Sequence, residues 1–134
     1  MLFAISKDKV PGYNEGTRPL IFFVSSAQAI QQAGLQFVFT DGHAVVDISN
    51  FYDDLGELHM VNWQVIGAKW WNSNESAPDR MRLRQAEFLV HEFLPWELIT
   101  HIGTRSPLIQ DTVFALQAGT VHHPEVLVRP NWYY

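Results

Sequence analysis

The stretch "LIFFVSSAQAIQQAGLQFVFTDG", residues 20 to 42, carries three patterns in succession. "LIFFV" at 20 to 24 is continuously apolar, as a strand covered on both faces is. Ser25 and Gln28 stand at capping-box spacing, Ala27, Ile30 and Ala33 fall on one helical stripe, and Gly34 sits where a helix C′ residue belongs. "LQFVFT" at 35 to 40 reads as a second strand, closed by the turn signal "DG" at 41 and 42. Strand, helix, strand, with short elements on either side, predicts an α+β chain.

Outward from this unit, the N-terminal side is the loop "KVPGYNEGTRP" at 9 to 19. On the C-terminal side Ser49 reads as the cap of a short helix over "NFYDDL", and Val61, Trp63 and Val65 alternate like a strand. "NSNESAPD" at 72 to 79 is loop. Ala86, Phe88 and Val90 then fall on one face of an extended segment, which turns Glu87, Leu89 and His91 to the other. Pro95 reads as the first residue of a helix with Glu97 in its first turn and Gly103 at its end. Ser106-Pro107 opens a further helix closed by Gly119, and "EVLVRP" at 125 to 130 is a last strand before "NWYY".

Length and composition bound the function. At 134 residues the chain is one domain, residues 1 to 134, with enough length and enough Trp, Phe and Tyr to fill a core. It has no repeat, heptad pattern or low-complexity tract. Its longest apolar run is far too short to span a bilayer and its start has no leader pattern, so no membrane partner is expected. With no cysteine, disulfides, thiolate metal sites and thiol nucleophiles are excluded, which fits a cytoplasmic setting. The formal net charge of -5 argues against indiscriminate nucleic-acid binding, though not against a local basic patch.

Chemistry-bearing residues are few. Glu87, in "RQAEFLV", is an ionisable group among apolar neighbours: it faces a cleft and does acid, base or electrostatic work, or it faces water at a sheet edge. Arg80, Arg82 and Arg84 in "DRMRLR" share one side of an extended segment, at a spacing that suits the phosphates of a nucleic-acid strand or a solvated face paired with acids. His43, after "TDG", is a turn residue or, if the turn lines a cleft, a site residue. His122 and His123 read as surface residues, and no metal site is expected. There is no P-loop, GxGxxG or HExxH.

The blocks "VPGY", "FVFTDGHA", "FYDDL", "RQAEFLVHEFLPWELI" and "RPNWYY", in this order over nearly the whole chain, resemble the DarT family of bacterial DNA ADP-ribosyltransferase toxins. The resemblance implies an ADP-ribosyltransferase-like split mixed sheet with surrounding helices, and transfer of ADP-ribose from nicotinamide adenine dinucleotide (NAD) to a base, thymine in preference, in single-stranded DNA. It implies a DarG-like macrodomain antitoxin as partner, Glu87 as catalytic glutamate, and residues 43 to 86 as the loop presenting DNA. His43 would stand at that loop's entrance, Arg80, Arg82 and Arg84 would hold phosphates at its exit, and Trp70 or Trp71 would stack on bases. Family members also carry an NAD-holding lobe before the segment like "MLFAI". The expectation is therefore the C-terminal portion of such a domain, which by itself binds no NAD; the alternative is a non-catalytic remnant that binds DNA or the antitoxin.

Overall fold

The computed structural model describes Ile5 and residues 10 to 133. The opening "MLFAI", expected to begin inside a packed element, lies outside the described residues except for Ile5, which is buried. In chain order the elements are β1 (Ile21–Val24), α1 (Ala27–Gln32), β2 (Phe37–Thr40), β3 (Phe51–Tyr52), α2 (Trp63–Gly67), α3 (Arg80–Leu83), β4 (Phe88–Val90), β5 (His101–Thr104), α4 (Pro107–Gln117) and β6 (Glu125–Val128). Short 3₁₀ segments lie at Leu55–Met60, Trp96–Leu98 and Pro130–Trp132. The chain divides into two compact units, Ser26–Leu94 and a discontinuous one made of Met1–Ser25 with Pro95–Tyr134. Among the described residues no helix is long and apolar enough to cross a membrane.

The discontinuous unit holds a mixed sheet in the order β1-β5-β6. β1 runs antiparallel to β5 with Ile21 opposite Thr104, and β5 runs parallel to β6 with His101 beside Glu125. Ile102, Val113 of α4, Val126 and Tyr133 are buried, and Gln110 of α4 donates to the Val126 carbonyl at 2.7 Å. The helix expected from Pro95 to Gly103 is corrected to a single 3₁₀ turn capped by Pro95, after which the chain enters β5. Ile99, Thr100, Ile102 and Thr104 are β-branched, which favours extended backbone, and burial of Ile102 decides for the strand. Gly103 is there for space: a Cβ would stand 2.4 Å from Cζ3 of Trp132. The Tyr133 hydroxyl is placed to donate to the carbonyls of Leu20 (2.8 Å) and Gly103 (3.1 Å), tying the chain end to the sheet.

Two further corrections fall in this unit. β1 is not covered on both faces, because Phe23 is 58% exposed, its ring perpendicular to that of Trp96 at 5.6 Å between ring centres. His122 is half-buried, not free on the surface: its Nε2 lies 2.7 Å from the Ile99 carbonyl and its ring stands edge-on to Trp96.

The continuous unit holds an antiparallel sheet in the order β3-β2-β4, with Phe39 opposite both Tyr52 and Phe88. Phe37 stacks on Phe88 at 5.0 Å and Phe39 on Tyr52 at 5.3 Å, and Phe39 is 2% exposed. α1 is capped one residue later than expected: the Ser26 oxygen accepts the Ala29 N–H, while Ser25 Oγ is buried without a partner. Gly34, at φ +70°, takes the left-handed C′ position as read.

Beyond β2 the local pattern is overruled. Ser49 caps no helix, since Asn50 donates its backbone N–H (3.0 Å) and side-chain amide (2.8 Å) to Asp41 and leads Phe51–Tyr52 into the sheet. Val61, Trp63 and Val65 do not form a strand, because the Asn62 side chain accepts the Val65 N–H and starts α2. Residues 80 to 83 are a helical turn, not an extended segment, so the three arginines do not share a side.

Replacing Gly103 with Ala should destabilise the protein by about 1–3 kcal/mol, because the added methyl must displace the Trp132 ring. Urea denaturation followed by tryptophan fluorescence measures it, and a midpoint equal to the parent's would show that the close approach carries no constraint.

Candidate active site

Where β2 ends and β4 begins, two backbones are locked by one side chain. The Thr40 N–H donates to the Glu87 carbonyl at 2.9 Å, continuing the ladder one residue past Phe39 and Phe88. The Glu87 N–H donates to Thr40 Oγ1 at 3.0 Å, and that hydroxyl donates to the Gly42 carbonyl at 2.5 Å. Thr40 has no solvent exposure. Left unmade, these bonds would bury polar groups at a cost of about 1–3 kcal/mol each, so the entry of β4 has little freedom.

The Glu87 carboxylate thereby faces the turn that follows "TDG". Its Oε2 accepts the Ala44 N–H at 3.3 Å and lies 4.0 Å from Nδ1 of His43, too far for a hydrogen bond. Oε1 makes no hydrogen bond among the described residues, and the side chains of His43 and Glu87 are 36% and 41% exposed. His43 Nδ1 is itself buried without a partner. One carboxylate oxygen is thus held by the protein, with the buried His43 Nδ1 4.0 Å away, while the other has no hydrogen-bond partner among the described residues. Such a carboxylate can take a hydroxyl hydrogen bond or face a developing positive charge.

Arg82 does not stand free. Its Nε lies 2.9 Å from both Asp79 oxygens, its Nη2 2.7 Å from Asp79 Oδ2, and its Nη1 3.1 Å from Asp41 Oδ1 and from Ser49 Oγ. Its side chain is 14% exposed. Gly42 makes room for it, since a Cβ there would stand 2.2 Å from Nη1. Burial pushes the Asp41 carboxyl up, but the hydrogen bonds from Asn50 and then Arg82 with its charge outweigh it and leave the group below its ordinary value. Hydrogen bonding to Asp79 raises Arg82, against burial, and Asp41 adds to the rise.

The other arginines are elsewhere. Arg84 donates to the carbonyls of Val65 and Ala68 and lies over Trp71, 4.6 Å from the ring centre, which fastens the end of α2. Among the described residues Arg80 makes only a 3.4 Å contact to the Asn72 carbonyl and, with Trp70, Trp71 and Asn74, lines a concavity of about 380 Å³. A larger cavity, about 580 Å³, lies at the opposite end of β2 and β4, walled by Leu35, Val38, Leu89 and His91 among others, and Glu87 is not in its wall. Of the residues singled out from sequence, Glu87 and His43 come together, Arg82 braces them, and Arg80 and Arg84 stand apart. Thr40, Asp41, Ser49 and Asp79 were missed as site residues. Asp79, three residues before Arg82, carried a signal only if the segment was read as helix.

Residues 1 to 134 match the family described as "ssDNA thymidine ADP-ribosyltransferase, DarT". A DNA ADP-ribosyl transferase of Thermus aquaticus is 42% identical over 137 residues, an alignment that takes in all of this chain and 58% of the relative. The structure of Thermus sp. 2.9 DarT in complex with ADP-ribosylated ssDNA superposes with a TM-score of 0.91 at 37% identity, over 99% of this chain and 63% of that one. The same protein in complex with NAD+ gives 0.89 at 36% identity, over 99% and 66%. The chain thus spans less than two thirds of the length of these relatives.

Because Asp41 is depressed, its charged form favours the folded state. Its stabilising effect is complete above the ordinary carboxylate value of about 4 and is lost as pH falls through the lower folded value. The Asp41→Asn variant should therefore lose less stability than the parent between about pH 5 and pH 2, as measured by urea midpoints across that range. Parallel curves would remove Asp41 from the acid response.

Proposed function

Given that the chain belongs to the DarT family, we propose that it supplies the Glu87 half of an NAD-dependent enzyme that transfers ADP-ribose to a base, thymine foremost, in single-stranded DNA. The observation that carries this is the Glu87 carboxylate, fixed through Thr40 at the entry of β4, with Oε2 on the Ala44 N–H and Oε1 open. Support comes from the Thermus relative, whose structures hold NAD+ and ADP-ribosylated ssDNA. The family match runs through both compact units, which supports reading residues 1 to 134 as one domain.

NAD, as co-substrate, supplies a ribose whose bond to nicotinamide breaks with positive charge developing at the ribose carbon. Glu87 is suited to that charge: its open oxygen accepts from a ribose hydroxyl and opposes the charge electrostatically, as a carboxylate does in glycoside cleavage. The same carboxylate can help take the proton from the attacking base nitrogen. His43 flanks it, with its buried Nδ1 4.0 Å from Oε2. Single-stranded substrate follows from the chemistry, because a ring nitrogen is reached only when the base is out of the stack.

For DNA contacts the reading is narrower than three equivalent arginines. Arg80, without a carboxylate partner among the described residues, offers with the 71% exposed Trp70 and its neighbour Trp71 a guanidinium and aromatic faces for a phosphate and stacked bases. Arg82 and Arg84 are engaged within the protein. The partner is a DarG-like antitoxin, which would remove the modification, and the setting is the cytoplasm, where that DNA lies.

In a protein carrying the full length of its relatives, Glu87→Ala should lower transfer of ADP-ribose from NAD to a single-stranded oligonucleotide by about a hundredfold or more. Activity within a few-fold of the parent would end the assignment. Arg80→Gln should flatten the salt dependence of oligonucleotide binding by about 0.7 log units per log unit of salt, and an unchanged slope would take Arg80 out of the DNA path.

A further inference from the structure

We propose that Arg82 is a positioning residue of the Glu87 site, acting through Ser49 and a single peptide plane to hold one oxygen of the Glu87 carboxylate. The proposal rests on the functional reading of Glu87 only for its kinetic consequence; the geometry stands without it.

The links are continuous. Arg82 Nη1 donates to Ser49 Oγ at 3.1 Å, and Ser49 Oγ donates to the His43 carbonyl at 2.8 Å. That carbonyl and the Ala44 N–H belong to one peptide unit, planar and trans, so fixing the carbonyl aims the N–H the opposite way. It is this N–H that Glu87 Oε2 accepts. Arg82 holds the other side of His43 as well, since its own carbonyl accepts the His43 N–H at 3.0 Å. Each bond in such a chain polarises the next.

The guanidinium suits this task and not a phosphate. It lies between two carboxylates, Asp79 and Asp41, so the group of three carries net negative charge and repels an anion. Its five donors point along a fixed fork, which lets one side chain brace Asp79, Asp41 and Ser49 together; a lysine ammonium could not keep all three directions. Gly42 leaves out the Cβ that would collide with Nη1, so the backbone is shaped around the brace. The consequence is a carboxylate with unequal oxygens: Oε2 belongs to the protein, and Oε1 belongs to the substrate.

The variants are Ser49→Ala, which cuts one link and leaves the arginine paired with both acids, and Arg82→Lys. In the protein of full relative length, each should lower kcat for ADP-ribose transfer about tenfold or more, with the KM for oligonucleotide and the salt slope of binding unchanged. A second measurement is independent of the reaction. By backbone NMR, Glu87→Gln should displace the Ala44 amide resonance in the parent, and the same replacement should leave it in place when Ser49 is already Ala. If Arg82→Lys proves unfolded by its amide dispersion, Ser49→Ala decides alone. Parental kcat in Ser49→Ala, or an Ala44 shift that persists without Ser49, would each overturn the proposal. A protein with no transferase activity in any form would overturn the functional reading, while a coupled Ala44 resonance would still uphold the link.

Discussion

A buried hydroxyl holds the site together. A sheet ladder ends where the next residue pair no longer exchanges backbone bonds, and at that point a buried N–H needs another acceptor. Thr40 supplies it from its side chain, so Glu87 enters β4 with both backbone groups satisfied by one residue. The same hydroxyl then spends its proton on the Gly42 carbonyl and sets the direction of the turn. Strand end, Glu87 and turn are therefore one hydrogen-bonded object. Thr40 is also β-branched, which suits it to the end of a strand and leaves its side chain few rotamers.

The electrostatics of the turn follow from this closeness. Two carboxylates and a guanidinium sit within ion-pair distance; Arg82 and Asp41 are largely withdrawn from water while Asp79 is 44% exposed, so desolvation offsets much of the Coulomb gain of the first pair and solvent screens the second. Such a cluster adds little net stability and much geometric definition. The acidity of the chain is thus partly internal: Asp41 and Asp79 are consumed by Arg82 and do not face a polyanionic ligand as free charges. Around Arg80 and Trp70 the chain, whose total charge is -5, keeps a small basic and aromatic surface.

Elements whose local pattern agrees with their tertiary setting were legible in the sequence. "IFFV", "FVFT" and "EVLV" are strands, and Pro107 to Gln117 is a helix with its proline in the first turn. Glu87 could be singled out because an ionisable residue broke an apolar alternation, and His43 because it followed a turn signal. Between Thr40 and Phe88 the failures have one cause: the structure there is set by side chains that cap and clasp backbone. Asp41 captures Asn50, Asn62 starts a helix in an alternating segment, and Arg84 holds carbonyls from residues 65 and 68. None of these leaves a periodicity. "DG" reads as punctuation, although its aspartate pairs with Arg82 and its glycine leaves space for that guanidinium.

The discontinuous unit has a consequence for the order in which the protein is made. Among the described residues β1 pairs only with β5, and the pairing joins Ile21 to Thr104. A growing chain therefore exposes the strand's unpaired edge and Phe22 until residues 101 to 104 have left the ribosome. In that interval the whole segment Ser26–Leu94 has emerged, carrying within itself every strand partner of its own sheet. The entropy of closing the long loop rises only with the logarithm of its length, and a pre-folded insert shortens the effective loop further. The unit containing Glu87 and His43 is thus free to fold first, and the strand that waits, β1, is the one whose early exposure a chaperone or a nearby nascent chain would encounter.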